Sequence, residues 1–291
     1  MMLTYYKNTL LFALISLVNL SFFGQETVSK NSIESHFVSN DSEVFLTNKY
    51  GDIELIGWKK DSLKIDVTIK VNHKKAENAQ NLLNRIESSV KLVGNLIYIK
   101  TEVSDKNKSA FSRYFNKVNA VDFNKSNVQI NYKIHVPEKI IVELSNKFGD
   151  VIVESFYGEL NATLEHGDMW INQDIDKLKL ALKYGNLKTK SITYGNINLK
   201  NAGLDIKGSK NLVVNSSGSS IEIEQVNNLE LITSKDNVEI VAANQIRGEF
   251  NYSKIHIVNV QNSIDAYMKV TEFSVSKFNE PNTFINIEEE S

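Results

Sequence analysis

Apolar and polar residues alternate with a period of two along most of the chain. Such alternation is typical of a strand that buries one face and exposes the other. The clearest run places five apolar residues on one side of a single strand: Leu63, Ile65, Val67, Ile69 and Val71. A second alternating run extends from Val128 to Val136 and stops at Pro137. The pattern predicts an all-β fold.

From Asn146 onward the alternation breaks into short apolar cores that begin about nine residues apart, and pairs of cores recur about every eighteen residues. A short, even period with two strands per repeat predicts a β-solenoid, of the right-handed β-helix type, over residues 146–291. One coil buries too little apolar area to fold alone, so stability comes from stacking coils about 4.8 Å apart. A β-sandwich built from hairpins gives the same strand spacing and is the alternative fold.

One turn motif recurs where strands restart. It consists of an aromatic or His residue, a Gly that supplies a positive φ, and an Asp or Asn that satisfies local amides. The five copies are Tyr50-Gly51-Asp52, Phe148-Gly149-Asp150, His166-Gly167-Asp168, Tyr184-Gly185-Asn186 and Tyr194-Gly195-Asn196. Residues eighteen apart superpose in a stack, so Phe148, His166 and Tyr184 are expected to form a column beside columns of Gly and of Asp or Asn.

These turns resemble those of the bacterial adhesin-like domains of unknown function, a group related to the head GIN auto-transporter adhesin domain. The likeness is carried by Asn48-Lys49-Tyr50-Gly51-Asp52-Ile53, Asn146-Lys147-Phe148-Gly149-Asp150-Val151 and the later copies, and it covers about Val44 to Ile287. The resemblance implies a β-helix-like fold, a place in the cell envelope and no catalytic residue to carry over. Ser219-Ser220, Asp236-Asn237 and Ser253-Lys254 replace the turn later, so an uninterrupted ladder is predicted only to about Asn201.

The N-terminal part, residues 25–145, is predicted to be an α+β region that packs against the solenoid. Apolar residues spaced three and four apart predict one helix over about 73–90, with its stripe on the sheet: Ala76, Ala79, Leu83, Ile86 and Val90. A helix that binds a partner is the alternative. Periodicity is lost over 104–127, which predicts a long loop whose aromatic residues either pack on the body or bind a ligand.

The first 24 residues have the pattern of a signal peptide. The apolar run from Leu10 to Phe23 is too short to span a membrane, which takes about 20 residues. Export to the periplasm, the cell surface or the medium is therefore predicted, with no membrane span after removal of the signal. A retained N-terminal anchor is the alternative. The chain has no Cys, which excludes disulfides and thiol chemistry.

The charge pattern argues against nucleic acid as a partner. The net charge is -2, both signs are interspersed, and no basic stripe is apparent along the chain. The turn acids Asp150 and Asp168 lie one repeat apart, but Asn186 continues their series and cannot act as a general acid. Each turn has one Gly and at most one carboxylate, fewer oxygens than the six to eight or so that Ca²⁺ takes. No catalytic, metal or cofactor site is predicted.

A binding role needs only a surface. If Val151 and Met169 point inward, Ile152 and Trp170 share an outward column and form a candidate patch, unless the N-terminal region covers them. The sequence therefore predicts an exported, non-enzymatic, adhesin-like protein that binds protein or glycan in the cell envelope. The alternative is a carbohydrate-active β-helix enzyme of the lyase or glycosidase type, which a cluster of three outward carboxylates beside a basic residue would favour.

Overall fold

The computed structural model describes residues 26–39, 41–103, 128–279 and 284–290. These residues form a β-solenoid of about 8 turns, built from eighteen strands in one continuous sheet and a single helix. The predicted signal peptide (1–24) and loop (104–127) lie outside the described residues. The described part of the chain contains no helix that is long and apolar enough to cross a membrane.

In chain order the elements are β1 (Glu26–Phe37), β2 (Glu43–Tyr50), β3 (Ile53–Trp58), β4 (Ser62–His73), α1 (Ala76–Leu83), β5 (Ile86–Val93), β6 (Leu96–Val103), β7 (Val128–Pro137), β8 (Ile141–Phe148), β9 (Val151–Glu154), β10 (Glu159–Glu165), β11 (Met169–Lys183), β12 (Asn186–Lys200), β13 (Gly203–Ser217), β14 (Ser220–Ser234), β15 (Asn237–Asn251), β16 (Lys254–Lys269), β17 (Glu272–Phe278) and β18 (Phe284–Glu290).

The coils stack in parallel on two faces. The long face contains β2, β8, β10, β18 and the C-terminal halves of β11 to β16. The short face contains β3, β9, β17 and the N-terminal ends of β11 to β16. Alternate residues of both faces point inward and form one apolar core, while the residues between them face solvent. Outward side chains of successive coils therefore line up in columns.

The regular stack begins one coil earlier than Asn146, where the sequence predicts its start. β2 pairs in parallel with β8, with Tyr50 opposite Phe148, and β3 pairs in parallel with β9. The segment between these two coils forms β4 to β7, which extend the same sheet instead of forming a separate layer. β4 runs antiparallel to both β1 and β7. The long insertion hides the first coil from any search for an even period.

The predicted helix over 73–90 is correct only in its first half. Helix α1 ends at Leu83 and buries Ala79 and Leu83, whereas β5 follows at once and forms an antiparallel hairpin with β6. Ile86 and Val90 fit a helical stripe, but they also fit a period of two. Pairing with β6 and burial of Ile86 decide in favour of the strand, because tertiary contacts override a weak local preference.

The backbone stack continues beyond Asn201 to β18, although the aromatic turn motif does not. From His166 onward, one corner residue in each coil keeps a left-handed conformation, with φ between 46° and 66°: His166, Tyr184, Asn201, Gly218, Lys235, Tyr252 and Val270. The spacing of these corners shortens from 18 to 17 residues after Tyr184 and returns to 18 at the last one. Backbone geometry is therefore conserved from coil to coil where side-chain identity is not.

We expect Gly167→Ala to destabilise the protein strongly, because its Cβ would lie 1.9 Å from the carbonyl oxygen of Gly149 in the coil above. The free energy of unfolding should fall by about 2 kcal/mol or more, since backbone atoms must move apart. Gly208→Ala is the matched control, because nothing lies within 4 Å of its Cβ position. That variant should be neutral or up to about 1 kcal/mol more stable. Thermal and urea unfolding measure both, and equal effects would contradict the close approach.

Candidate functional site

The corner rings form a column that runs through four coils. Tyr50, Phe148, His166 and Tyr184 stack with centroid separations of 5.5, 5.3 and 4.8 Å, and successive planes are within 10° of parallel. The three rings expected to superpose thus lie in register, and Tyr50 adds a fourth at the N-terminal end. Tyr50 is buried, whereas Tyr184 is about half exposed. Stacked rings contribute to the contact between coils.

The Asp residues of the motif bind the backbone of the next coil. Asp52 Oδ1 accepts a hydrogen bond from the N–H of Asp150 at 2.9 Å, and Asp150 Oδ1 accepts one from the N–H of Asp168 at 2.9 Å. Asp168 Oδ1 then accepts from the N–H of Asn186 at 2.8 Å. The side chain of Asn131 accepts from the N–H of Asp52 in the same manner. An amide oxygen thus serves as well as a carboxylate, which favours a structural role for the acids.

In the second half of the solenoid the corner is built from short, buried polar side chains. Ser219, Asp236 and Ser253 are 4 to 6% exposed. The N–H of Ser219 donates to Asp236 Oδ1 at 2.6 Å, and the N–H of Asp236 donates to Ser253 Oγ at 3.1 Å. Asp236 Oδ2 accepts from the hydroxyl of Ser216 and the N–H of Ser234. These residues form no obvious motif, and only their spacing of 17 marks them in the sequence.

Tyr194-Gly195-Asn196 is not a corner, so its prediction as a turn is wrong. The three residues lie inside β12, on the long face, with Tyr194 opposite Lys177. Gly195 points inward at a position where a Cβ would lie 2.6 Å from the side chain of Leu212. The motif lies only ten residues after its predecessor, whereas the corner returns after 17 or 18. The residue types of this segment match the turn motif, but its spacing from the preceding copy does not match the period of the corner.

Ile152 and Trp170 do share an outward column on the short face. Ile152 is 38% exposed and Trp170 is half-buried. Glu54 precedes them in the column and Lys188 follows. The apolar patch therefore comprises two residues between charged neighbours, which is small for a docking surface.

Three outward carboxylates follow in the same column: Asp205, Glu222 and Glu239. They lie in successive coils, about 4.8 Å apart, and Lys188 forms an ion pair with Asp205 at 3.0 Å. This meets the condition that favours the enzyme alternative. The column is on the open short face, however, and the acids line neither of the grooves of the long face described below.

Other titratable groups do not converge on a site. Within residues 26–39, 41–103, 128–279 and 284–290, no group of three or more His, Asp and Glu residues could hold a metal ion. His135 packs against the ring of Trp58 at 5.0 Å. Burial lowers the pKa of His135, and the charges of Lys64 and Lys133 lower it further.

The long face carries a groove, which we call the trough. Its floor is a column of small outward residues in five successive coils: Thr47, Ser145, Thr163, Ala181 and Asn198. The central wall stands two residues earlier in each strand: Phe45, Glu143, Asn161, Lys179 and Asn196. The groove between them has a volume of about 460 Å³. Small side chains between longer ones create it, and it runs along the solenoid axis.

The second side of the trough, which we call the corner wall, stands two residues after the floor in each strand: Lys49, Lys147, Glu165, Lys183 and Lys200. The two walls are roughly 13 Å apart, since four residues of strand separate them. Lys147 forms an ion pair with Glu165 at 3.0 Å. Glu159, which pairs with Lys177, also lines the groove, so the trough and its corner wall contain five lysines and three glutamates.

One end of the trough is aromatic. Phe45 stacks on Tyr98 of the adjacent strand β6, with ring centroids 4.8 Å apart and planes inclined by 19°. Tyr98 is 38% exposed. A second groove on the long face has a volume of about 400 Å³ and mixed charges from Glu230, Arg247 and Asp265. The sequence did not predict either groove, because each is formed by short segments of neighbouring strands that lie 17 or more residues apart in the chain.

We expect Asp150→Asn to preserve stability and Asp150→Ala to reduce it. Asn keeps the oxygen that accepts from the N–H of Asp168, whereas Ala leaves that N–H without its side-chain partner. The loss for Ala should be about 1 to 2 kcal/mol in the free energy of unfolding, measured by urea denaturation. Equal losses for both variants would show that the charge matters and not the acceptor.

Neither protein-family models nor curated proteins give a match to this chain. Among solved structures, the chain is similar to a "putative lipid binding protein" from Parabacteroides distasonis (15% identity, TM-score 0.35, 90% of this chain and 97% of that one). It is also similar to a "putative adhesin" from Bacteroides fragilis (16%, 0.35, 90% and 94%) and to one from Parabacteroides merdae (13%, 0.34, 90% and 97%). At these TM-scores nothing these proteins do is transferred to this chain.

Proposed function

We propose that this chain is an exported, non-enzymatic, adhesin-like protein of the cell envelope, and that the trough binds an extended segment of protein or glycan. The trough itself supports this proposal. Export rests on the N-terminal sequence, and the envelope is the compartment in which such a protein meets extended polymers.

The side chains of the trough are available to a ligand. Within the described residues, Ser145, Asn161, Thr163 and Asn198 form no side-chain hydrogen bond, so their hydroxyl and amide groups face solvent. The backbone beneath them is engaged in the parallel ladders. Recognition therefore depends on side chains alone, with polar groups along the floor and the Phe45–Tyr98 pair as an apolar contact at one end.

The structure also holds these groups in fixed positions. Each floor residue lies between inward neighbours that are anchored in the core, and each coil is paired on both sides. A ligand that lies across several coils meets a surface that is already arranged, so little entropy is lost in ordering the protein. This favours binding of an extended chain over binding of a compact small molecule.

To test the trough, we expect Thr163→Trp to weaken binding to envelope preparations of the source organism at least tenfold. The indole would fill the middle of the floor without disturbing the core, because Thr163 points outward and is exposed. Val241→Trp is the matched control, since Val241 is also β-branched and exposed but lies outside the trough. Binding of labelled protein to the preparation, measured by sedimentation, provides the readout.

Treatment of the envelope preparation with protease or with periodate identifies the class of ligand. Loss after protease indicates protein, and loss after periodate, which cleaves vicinal diols, indicates glycan. If Thr163→Trp binds as tightly as the unmodified protein, the trough is not the binding surface. Equal loss in Val241→Trp would point to a general effect of the added indole.

The enzyme alternative has one observation in its favour, the column of Asp205, Glu222 and Glu239. Carboxylates about 5 to 5.5 Å apart serve retaining glycosidases, and the strand spacing is close to that. The acids lie on an open face, where water is not excluded, and like charges in adjacent strands repel. We therefore expect the three carboxylates of this column to repel one another and to catalyse no reaction.

Glu222→Gln distinguishes the two readings of the acid column. We expect the variant to gain a few tenths of a kcal/mol in the free energy of unfolding at low salt, because Asp205 and Glu239 each lose a charged neighbour. The gain should vanish at high salt as the charges are screened. Neither protein should release reducing ends from polysaccharides. Product release by the unmodified protein that Glu222→Gln abolishes would establish the enzyme instead.

A further inference from the structure

The C-terminal part of the corner wall brings two positive charges together that no ion pair between described residues neutralises. Lys183 and Lys200 occupy adjacent coils in direct register, and both are exposed. Neither side chain has an ion pair or hydrogen bond with another described residue. Lys179, on the central wall, is in the same situation. Glu165 precedes Lys183 in the corner wall, but its carboxylate pairs with Lys147, so three ammonium groups at the trough have no ion pair with a described residue.

Stability does not explain this arrangement. Like charges directly opposite each other in neighbouring strands are destabilising. Several other columns place opposite charges in neighbouring coils, as in Lys133–Glu54, Lys188–Asp205 and Lys254–Glu272, although Asp205, Glu222 and Glu239 form a column of like charge. In the corner wall, Lys147 has such a partner, Glu165. The lysines are thus arranged in a way that complements an anion from outside the chain.

We infer that the trough binds a linear anionic polysaccharide, whose acidic groups face the lysines of the corner wall. The inference rests on the proposed function and names its ligand class. The polymer runs along the solenoid axis, with its acidic groups opposite Lys147, Lys183 and Lys200 and its sugar rings over the small floor residues. At the N-terminal end, the Phe45–Tyr98 pair offers a ring face on which a sugar can stack.

The spacing of the lysines favours a glycan over an acidic peptide. Successive coils are about 4.8 Å apart, so Lys183 and Lys200 are separated by close to the length of one pyranose unit in an extended chain, and Lys147 lies two coils from Lys183. An extended peptide presents side chains of one side only every 6.8 Å or so, so its carboxylates fall out of step with the wall. The hydroxyl and amide groups of Ser145, Thr163 and Asn198 suit the many hydroxyls of a sugar chain.

The test uses the full mature chain and polygalacturonate as the probe, with dextran as the neutral polysaccharide and poly-glutamate as the acidic peptide. We expect isothermal titration to show binding of polygalacturonate, weakening as NaCl is raised. Dextran and poly-glutamate should bind at least tenfold more weakly. The double variant Lys183→Glu/Lys200→Glu should raise the Kd for polygalacturonate at least tenfold.

The matched control is Lys190→Glu/Lys207→Glu, which changes the net charge equally. Those lysines are also exposed and follow Lys183 and Lys200 by seven residues each, in β12 and β13, on the far side of the corner from the trough. The control should change the Kd less than twofold. Equal weakening by both double variants would mean non-specific attraction to charge and would overturn the inference, and melting temperatures would show that all variants are folded.

Other outcomes also decide the matter. Equal binding of dextran would remove the role of the acidic groups, and tighter binding of poly-glutamate would assign the trough to acidic proteins. If Thr163→Trp abolishes envelope binding but the Lys183→Glu/Lys200→Glu variant retains it, the trough is a binding surface and only the anionic ligand is wrong. If both variants bind the envelope normally, the trough is not the binding surface, and both the proposed function and the anionic ligand are wrong.

Discussion

The structure depends on how closely one coil approaches the next at the corner. At Gly149, Gly167 and Gly185 a Cβ would lie 1.9 to 2.1 Å from the carbonyl oxygen of the Gly in the coil above. Only a hydrogen atom fits there. The approach brings each turn amide within 2.8 to 2.9 Å of the preceding Asp side chain and places the corner rings in contact. Because the corner determines where each strand begins, the strands of the long face pair in register.

The repeat could be predicted from the sequence where the chain repeats without interruption. Phe148, His166 and Tyr184 lie eighteen apart, and a short, even period of this kind predicts a stacked coil. Tyr50 belongs to the same column, but 98 residues separate it from Phe148, and only the tertiary pairing of β2 with β8 reveals the connection. Ile86 and Val90 fit two periods at once, so the sequence could not decide between helix and strand. The trough could not be predicted, because a groove depends on the relative lengths of side chains that meet only after stacking.

The second half shows that the corner can be held by different chemistry. Up to Asn186, the amide of the later coil donates to a side chain of the earlier coil. From Ala202 onward, the amide of the earlier coil donates to a side chain of the later one, first to Ser219 and then to Asp236. The direction changes where the repeat shortens from 18 to 17 residues. The new direction persists at the last corner, where the N–H of Ser253 donates to Thr271 Oγ1 although the repeat is 18 residues again, so the length of the repeat alone does not set the direction.

The lysines of the trough are part of the same motif that builds the corner. Lys49, Lys147 and Lys183 each directly precede a corner ring. Lys49 Nζ lies 5.0 Å from the ring centroid of Tyr50, and Lys147 Nζ lies 5.7 Å from that of Phe148. These contacts hold the charged ends near the ring column, which is itself fixed by stacking. Because the residue before the ring points outward while the Gly after it permits the close approach, one short motif determines both the spacing of the coils and the spacing of the charges. The acidic groups of a linear ligand that pair with the corner wall must therefore be spaced according to the distance between coils.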